Sequence, residues 1–178
     1  MANKVSFSGQ NLPLTSIAAY YNDCERSLRL YFSDKNPEYS LRFNGYTRSE
    51  VEEELKLRLQ ELDRAISLSV LSALEALFRV DYLTRCYNKK KDHLSRKMRD
   101  VYGKKGVRAS LENDILQLWK ENYPEYKSFI SEVITALSYR NWLAHGRYWE
   151  PKLGKNYDYQ SLYDLAYSIE ELLSSSLT

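Results

Sequence analysis

Apolar residues recur at three- and four-residue steps through most of this chain, and no segment alternates convincingly with period two. The longest series is Val51, Leu55, Leu59, Leu62, Ile66, Val70, Leu74 and Leu77, the stripe of an amphipathic helix. Thr47-Arg48-Ser49-Glu50 supplies its start. A threonine hydroxyl can accept from the third backbone N–H while the glutamate reaches back, which is a capping box. Glu52, Glu53 and Glu54 add negative charge at the positive helix end. The pattern predicts a helix over 47–87. Upstream, Ile17, Tyr20, Tyr21, Cys24, Leu28 and Tyr31 predict a helix over 16–32. Asn36-Pro37 and Asn44-Gly45 mark 33–46 as a loop.

Downstream, a basic stretch runs to residue 108, helical at least through Leu94, Met98 and Val101 and ended by Gly103 and Gly106. A shorter helix is expected over 111–122, with Ile115, Leu118 and Trp119 on one side. Pro124 opens the next, over 125–145, and Gly146 is its expected C-cap. Residues 149–158 read as a loop. Leu162, Leu165, Ala166, Ile169 and Leu172 mark a last helix over 159–174. The expected fold class is all-α, an antiparallel bundle of about five or six helices, in one domain over 1–178.

Composition supports that picture. Six glycines and four prolines in 178 residues are too few for the turn-rich spacing of sandwiches and barrels. Cys24 and Cys86 give no disulfide framework and no zinc-ligand spacing, so reduced thiols, no metal and no cofactor are expected. Residues 1–10 carry one lysine and no long apolar run. The most apolar stretch, 65–78, contains three serines and Glu75. Neither a signal peptide nor a membrane span is expected, and the expected location is the cytoplasm.

Candidate chemistry lies on the helix over 125–145. On a helical wheel, Tyr126, Phe129, Ile130, Val133, Ile134 and Leu137 fill one arc of roughly 140°. Arg140 and Asn141 fall inside that arc and His145 at its edge. Polar side chains on a face reserved for burial often mark a functional or strained site. Asn141 and His145 are four apart, so the amide can orient the imidazole. Arg140 and His145 are five apart and can flank a bound group. Arginine offers a fixed fork of donors for phosphate oxygens. Imidazole exchanges protons near neutral pH. RNA supplies its own nucleophile, the 2′-hydroxyl, so these groups would suffice for cleavage without a metal. The structural alternative makes Arg140 and His145 helix-end caps or a core ion pair with a carboxylate such as Glu75. Glu75, buried in its turn, needs a partner. Arg79, four residues on, and Arg140 are its two candidates.

The run Tyr139-Arg140-Asn141-Trp142-Leu143-Ala144-His145-Gly146 resembles the R-x-x-x-x-H signature of the HEPN superfamily (higher eukaryotes and prokaryotes nucleotide-binding). The setting is similar too: the motif closes one helix, a loop and a final helix follow, and a long helix lies well upstream. The resemblance covers 47–173, and 1–46 matches nothing nameable. It implies a metal-independent endoribonuclease, of the kind found in toxin–antitoxin pairs or antiviral defence. It also implies a homodimer with two motif helices facing across a shared groove. In that reading Arg140 stabilises the phosphate, His145 does acid–base work, Asn141 positions His145 or the RNA, and Glu75 holds Arg140. An antitoxin or regulatory protein is the further partner implied. Some members of that superfamily have lost catalysis and act as binding modules. A purely structural helical dimer is the reading from a different class.

Charge then changes the picture once. The chain holds 26 Lys+Arg against 24 Asp+Glu, a net +2, which taken alone argues against a nucleic-acid binder. Residues 85–108 hold ten Lys+Arg against Asp92 and Asp100, a local +8, while the remainder holds 16 against 22, or −6. Lys89, His93, Arg96 and Lys97 are expected on one helical face. With Lys90, Arg99, Lys104 and Lys105 they form a candidate footprint for RNA phosphates. The alternatives are a solvated helix face or a site for an acidic partner. Tyr139, Tyr148 and Trp149 flank the motif, as core residues or as platforms for unpaired bases. Tyr159, Tyr163 and Tyr167 read as a packing or dimer stripe.

Overall fold

The computed structural model describes residues 4–177, with side chains described through Ser175. Residues 1–3 of the stretch read for a signal peptide lie outside them. The described residues form seven α-helices and no strand, an all-α fold. The helices are α1 Leu14–Tyr31, α2 Tyr39–Arg42, α3 Arg48–Tyr87, α4 His93–Lys105, α5 Gln117–Asn122, α6 Lys127–Ala144 and α7 Tyr159–Leu177. Among them no helix is long and apolar enough to cross a membrane.

α3 organises the molecule. Its 40 residues extend about 60 Å, and α1, α4, α6 and α7 all pack on it. The capping box forms: the Glu50 N–H donates to Thr47 Oγ1 at 3.3 Å and the Thr47 N–H donates to Glu50 Oε2 at 2.7 Å. Ile66, Val70, Leu71, Leu74 and Phe78 are buried with Ile130, Val133 and Leu137 of α6 and with Leu162, Ala166 and Ile169 of α7. Each such side chain contributes about 1.5–3 kcal/mol. Leu14 and Ile17 bring α1 into this core. Phe32, Phe43 and Val51 close the far end of the α1–α3 hairpin as a smaller cluster.

The departures from the sequence pattern have local causes. The loop over 33–46 contains the one-turn α2, formed where Phe43 turns into the small cluster. Tyr20 and Tyr31 of the α1 stripe are exposed, because Leu14 and Ile17 define the buried face. The basic stretch begins outside α4. The Lys90 N–H donates to the Arg85 carbonyl (3.3 Å) and the Lys89 N–H to the Cys86 carbonyl (3.4 Å), which closes α3. Asp92 then caps α4 by accepting from the Ser95 N–H at 2.9 Å. Lys89, in left-handed backbone at φ 52°, is therefore not on the α4 face with His93, Arg96 and Lys97. Gly103 stays helical, and Gly106, at φ 58°, is the glycine that ends α4. The helix expected over 111–122 starts as a π-helix, Leu111–Leu116, and continues as α5.

A buried ion pair ties α3 to α4. Arg85 Nε donates to both Asp81 oxygens, at 2.7 and 2.9 Å, and Nη1 reaches Ser95 Oγ at 3.3 Å. The guanidinium stands 5.4 Å from the Trp119 ring centroid. Burial pushes the Asp81 carboxyl up while Arg85 pulls it back. Arg85, counted above among the cations of the basic stretch, is thus a core residue.

Candidate functional site

α6 runs antiparallel to α3, because Arg140 meets Glu75 and Arg147 meets Glu61. The buried side of α6 is Ile130, Val133, Ala136, Leu137 and Tyr139. Arg140 lies within that side, yet its side chain is 30% exposed. It opens into a cleft of about 180 Å³ lined also by Glu75, Arg79, Glu112 and Asn141. Both candidate partners of Glu75 are engaged. Oε1 accepts from Arg79 Nε at 2.7 Å, and Oε2 accepts from Arg140 Nη2. Arg79 Nη1 also donates to the Ala109 carbonyl at 3.4 Å, tying the segment after α4 to this cleft.

Asn141 does not orient His145. Its Oδ1 accepts from Arg140 Nη1 at 3.0 Å. The reason is backbone geometry: α6 ends at Ala144, and His145 is the non-helical C-cap at φ −97°, ψ 20°. The four-residue alignment assumed by the wheel stops one residue short. His145 is exposed, and among the described residues no side-chain hydrogen bond holds its ring. Its imidazole lies 6.4 Å from the Trp149 ring.

A Schellman motif closes α6. The Gly146 N–H donates to the Leu143 carbonyl at 3.4 Å and the Arg147 N–H to the Trp142 carbonyl at 3.1 Å. Gly146, at φ 79°, takes the left-handed position as expected, but Arg147 follows it at φ 59°. A left-handed non-glycine residue costs about 1–2 kcal/mol. Arg147 is held there by Nη1 donating to Glu61 Oε1 at 2.8 Å, a carboxylate also contacted by Arg64 Nη1 at 2.5 Å. The Arg147 hydrogen bond keeps the Glu61 carboxyl below its usual range. Trp142 Nε1 donates to the Trp149 carbonyl at 2.6 Å and folds the following loop back.

The flanking aromatics divide. Tyr139 is buried and stacked on both Trp142 and Tyr157, with centroids at 5.5 and 5.6 Å. Tyr148 is 83% exposed and meets Trp149 edge-on at 4.7 Å, beside His145. On α7, Tyr159 stacks on Tyr21 at 3.9 Å and Tyr163 packs on the core, whereas Tyr167 is exposed.

The basic stretch is split. Arg99 donates to the Lys90 carbonyl, His93 Nδ1 meets Asn122 Oδ1, Lys97 lies 3.8 Å from Glu121 and Lys105 binds Asp114 at 2.7 Å. Lys89, Lys91, Arg96, Lys104 and Arg108 are exposed and form no ion pair among the described residues. Only the end near Arg108 and Ala109 adjoins the Arg140 cleft. Lys89–Lys91 follow Tyr87, twelve residues beyond Glu75 on α3, or about 18 Å along the axis.

A larger cleft, about 1060 Å³, lies between α1, α3 and the loop over 149–158, lined by Tyr21, Asp63, Arg64, Trp142 and Tyr157 among others. It holds neither Arg140 nor His145. There Asp63 accepts from the Tyr159 N–H at 3.0 Å, and burial raises its carboxyl. Among the described residues no group of three or more His, Cys, Asp or Glu side chains is arranged to hold a metal.

Sequence reasoning passed over Arg147, Arg64 and Glu61. The signal available was the pair Glu61-x-x-Arg64 and Glu75-x-x-x-Arg79, repeated on α3. Comparison with protein-family models, curated proteins and solved structures found no match for this chain.

Proposed function

We propose that this chain is an endoribonuclease that cleaves RNA without a metal, by attack of the 2′-hydroxyl on the adjacent phosphate. The observation that carries the reading is the fixed, half-open Arg140. Glu75 holds one edge of its guanidinium inside a cleft, and exposed His145 stands at the end of the same helix. Arg140 would stabilise charge building on the phosphate oxygens. One group removes the 2′-hydroxyl proton as the P–O2′ bond forms. Another protonates the 5′-oxygen as P–O5′ breaks. His145 suits either role. A second copy of the motif helix, facing the first, would supply both from two histidines, so a homodimer belongs to the reading. Light scattering tests it, and a strict monomer at micromolar concentration contradicts the shared groove. An antitoxin or regulatory partner, and a toxin or antiviral-defence setting, belong to the same reading.

The direct test is product chemistry. Purified protein incubated with RNA in EDTA is expected to leave 2′,3′-cyclic phosphate and 5′-hydroxyl ends. Cleavage that needs an added metal, or ends of the opposite kind, contradicts it. One observation favours a second reading, a catalytically silent helical module. Arg140 is engaged by both Glu75 and Asn141, and among the described residues no side-chain hydrogen bond orients His145. RNA binding without cleavage would select that reading.

A further inference from the structure

Two carboxylates on α3 do the same thing. Glu75 accepts from Arg79 and from Arg140 of α6. Glu61 accepts from Arg64 and from Arg147 just past α6. The two glutamates are 14 residues apart, about four turns and about 21 Å. Each cluster has two guanidiniums on one carboxylate and so carries a net positive charge of one. Glu112 lines the Glu75 cleft, and Asp63 lies near Arg64 of the Glu61 cluster, so each cluster has one further carboxylate beside it.

The Glu61 cluster is exposed. Side-chain exposures are 36% for Arg147 and 38% for Arg64. Exposed ion pairs contribute little to stability, and glycine at 147 would relieve the left-handed backbone. Stability alone therefore gives no reason for arginine there. The position does give a reason. Arg147 is two residues past His145, and the exposed Tyr148 and part-exposed Trp149 follow it.

We infer that Arg64 and Arg147, held by Glu61, form a second phosphate site, which binds the backbone of single-stranded RNA on the far side of His145 from Arg140. The inference rests on the reading of Arg140 and His145 as an RNA-cleaving pair. Arginine matches phosphate oxygens with paired N–H donors. A shared carboxylate fixes two guanidiniums without neutralising both. A strand spanning the two clusters crosses several nucleotides; His145 lies between Arg140 and Arg147 in the chain, and the exposed Tyr148 is available for a base to stack on. This makes Arg147 a binding residue and Glu61 a positioning residue.

The test uses full-length protein and a fluorescent single-stranded RNA carrying 2′-O-methyl groups, which cannot be cleaved by 2′-attack. Anisotropy gives Kd against salt. Arg147→Gly keeps the left-handed backbone and removes the guanidinium, so it is expected to fold as wild type by circular dichroism. It and Arg64→Ala are each expected to weaken binding roughly threefold to tenfold and to lower the log–log salt slope by about one. Arg147→Lys is expected to retain the slope. Unchanged affinity and slope in Arg147→Gly and Arg64→Ala overturn the inference, whatever Arg140→Ala does. If the wild type shows these dependences yet cleaves no RNA in EDTA, the cleavage reading fails and the phosphate site stands. If it cleaves and the two variants bind normally, only the phosphate site fails.

Discussion

Glu75→Gln is the most informative single change. The substitution keeps the shape and one oxygen acceptor but removes the negative charge from between two guanidiniums. Glu75 is 18% exposed, Arg140 30% and Arg79 39%, so the cluster is neither surface nor core. Breaking a buried pair costs about 3–5 kcal/mol and an exposed pair about 0–1 kcal/mol. The structure lies between these, and we expect a loss of about 2 kcal/mol. For a chain of this length that lowers Tm by about 4–8 °C. Urea unfolding followed by circular dichroism measures it. The decisive form is a double-mutant cycle, Glu75→Gln with Arg140→Gln and, separately, with Arg79→Gln. Contact through one carboxylate predicts a coupling energy of about 1 kcal/mol or more in each. Additivity within about 0.3 kcal/mol in both cycles would refute the bridge. In the RNA assay the same variant is expected to lose kcat more than affinity, since Arg140 keeps its charge but loses its fixed orientation.

Three further outcomes are expected. Arg85→Ala should destabilise the fold by about 3–5 kcal/mol, because it strands the buried Asp81 carboxylate, while the RNA salt slope stays unchanged; a lower slope would make Arg85 a phosphate contact after all. Asp63 has its carboxyl raised by burial, so the folded state holds that proton more tightly than the unfolded chain. The resulting stability is full on the acid side and lost as pH rises through the raised value. Asp63→Asn keeps an acceptor for the Tyr159 N–H and cannot ionise. Wild type should lose stability relative to this variant as pH rises above the ordinary carboxylate range, and parallel melting curves would contradict it. Finally, Lys104→Glu with Arg108→Glu should weaken RNA binding more than Lys89→Glu with Lys91→Glu, because only the former end adjoins the cleft. Equal losses, read by anisotropy, would point to a diffuse footprint.

Much of the fold was legible because burial writes a period into the chain. Val70, Leu74 and Ile66 sit where the α3 stripe predicts, and Thr47 and Glu50 start the helix as their spacing requires. What escaped were features decided by local hydrogen bonds. The closure at Asn88–Lys90 and the Asp92 cap take Lys89 off the helical face expected to carry it with His93, Arg96 and Lys97. The π-helical start at Leu111 has no periodic signature. At the site, Glu75 showed as a buried acid with two candidate partners, and spacing could not reveal that one carboxylate serves both. Arg147 was invisible because its role depends on a left-handed backbone and on Glu61, 86 residues away in sequence. The net charge of +2 concealed a basic stretch, and part of that stretch is in turn spent inside the fold, at Arg85, and on Asp114, at Lys105.

The central claim is that Arg140 and His145 cleave RNA without a metal. Cleavage of RNA in EDTA should therefore be compared among the wild type, Arg140→Ala and His145→Ala, with circular dichroism confirming that all three are folded. The account predicts cleavage by the wild type and loss of it in both variants. Undiminished cleavage by both folded variants would contradict it.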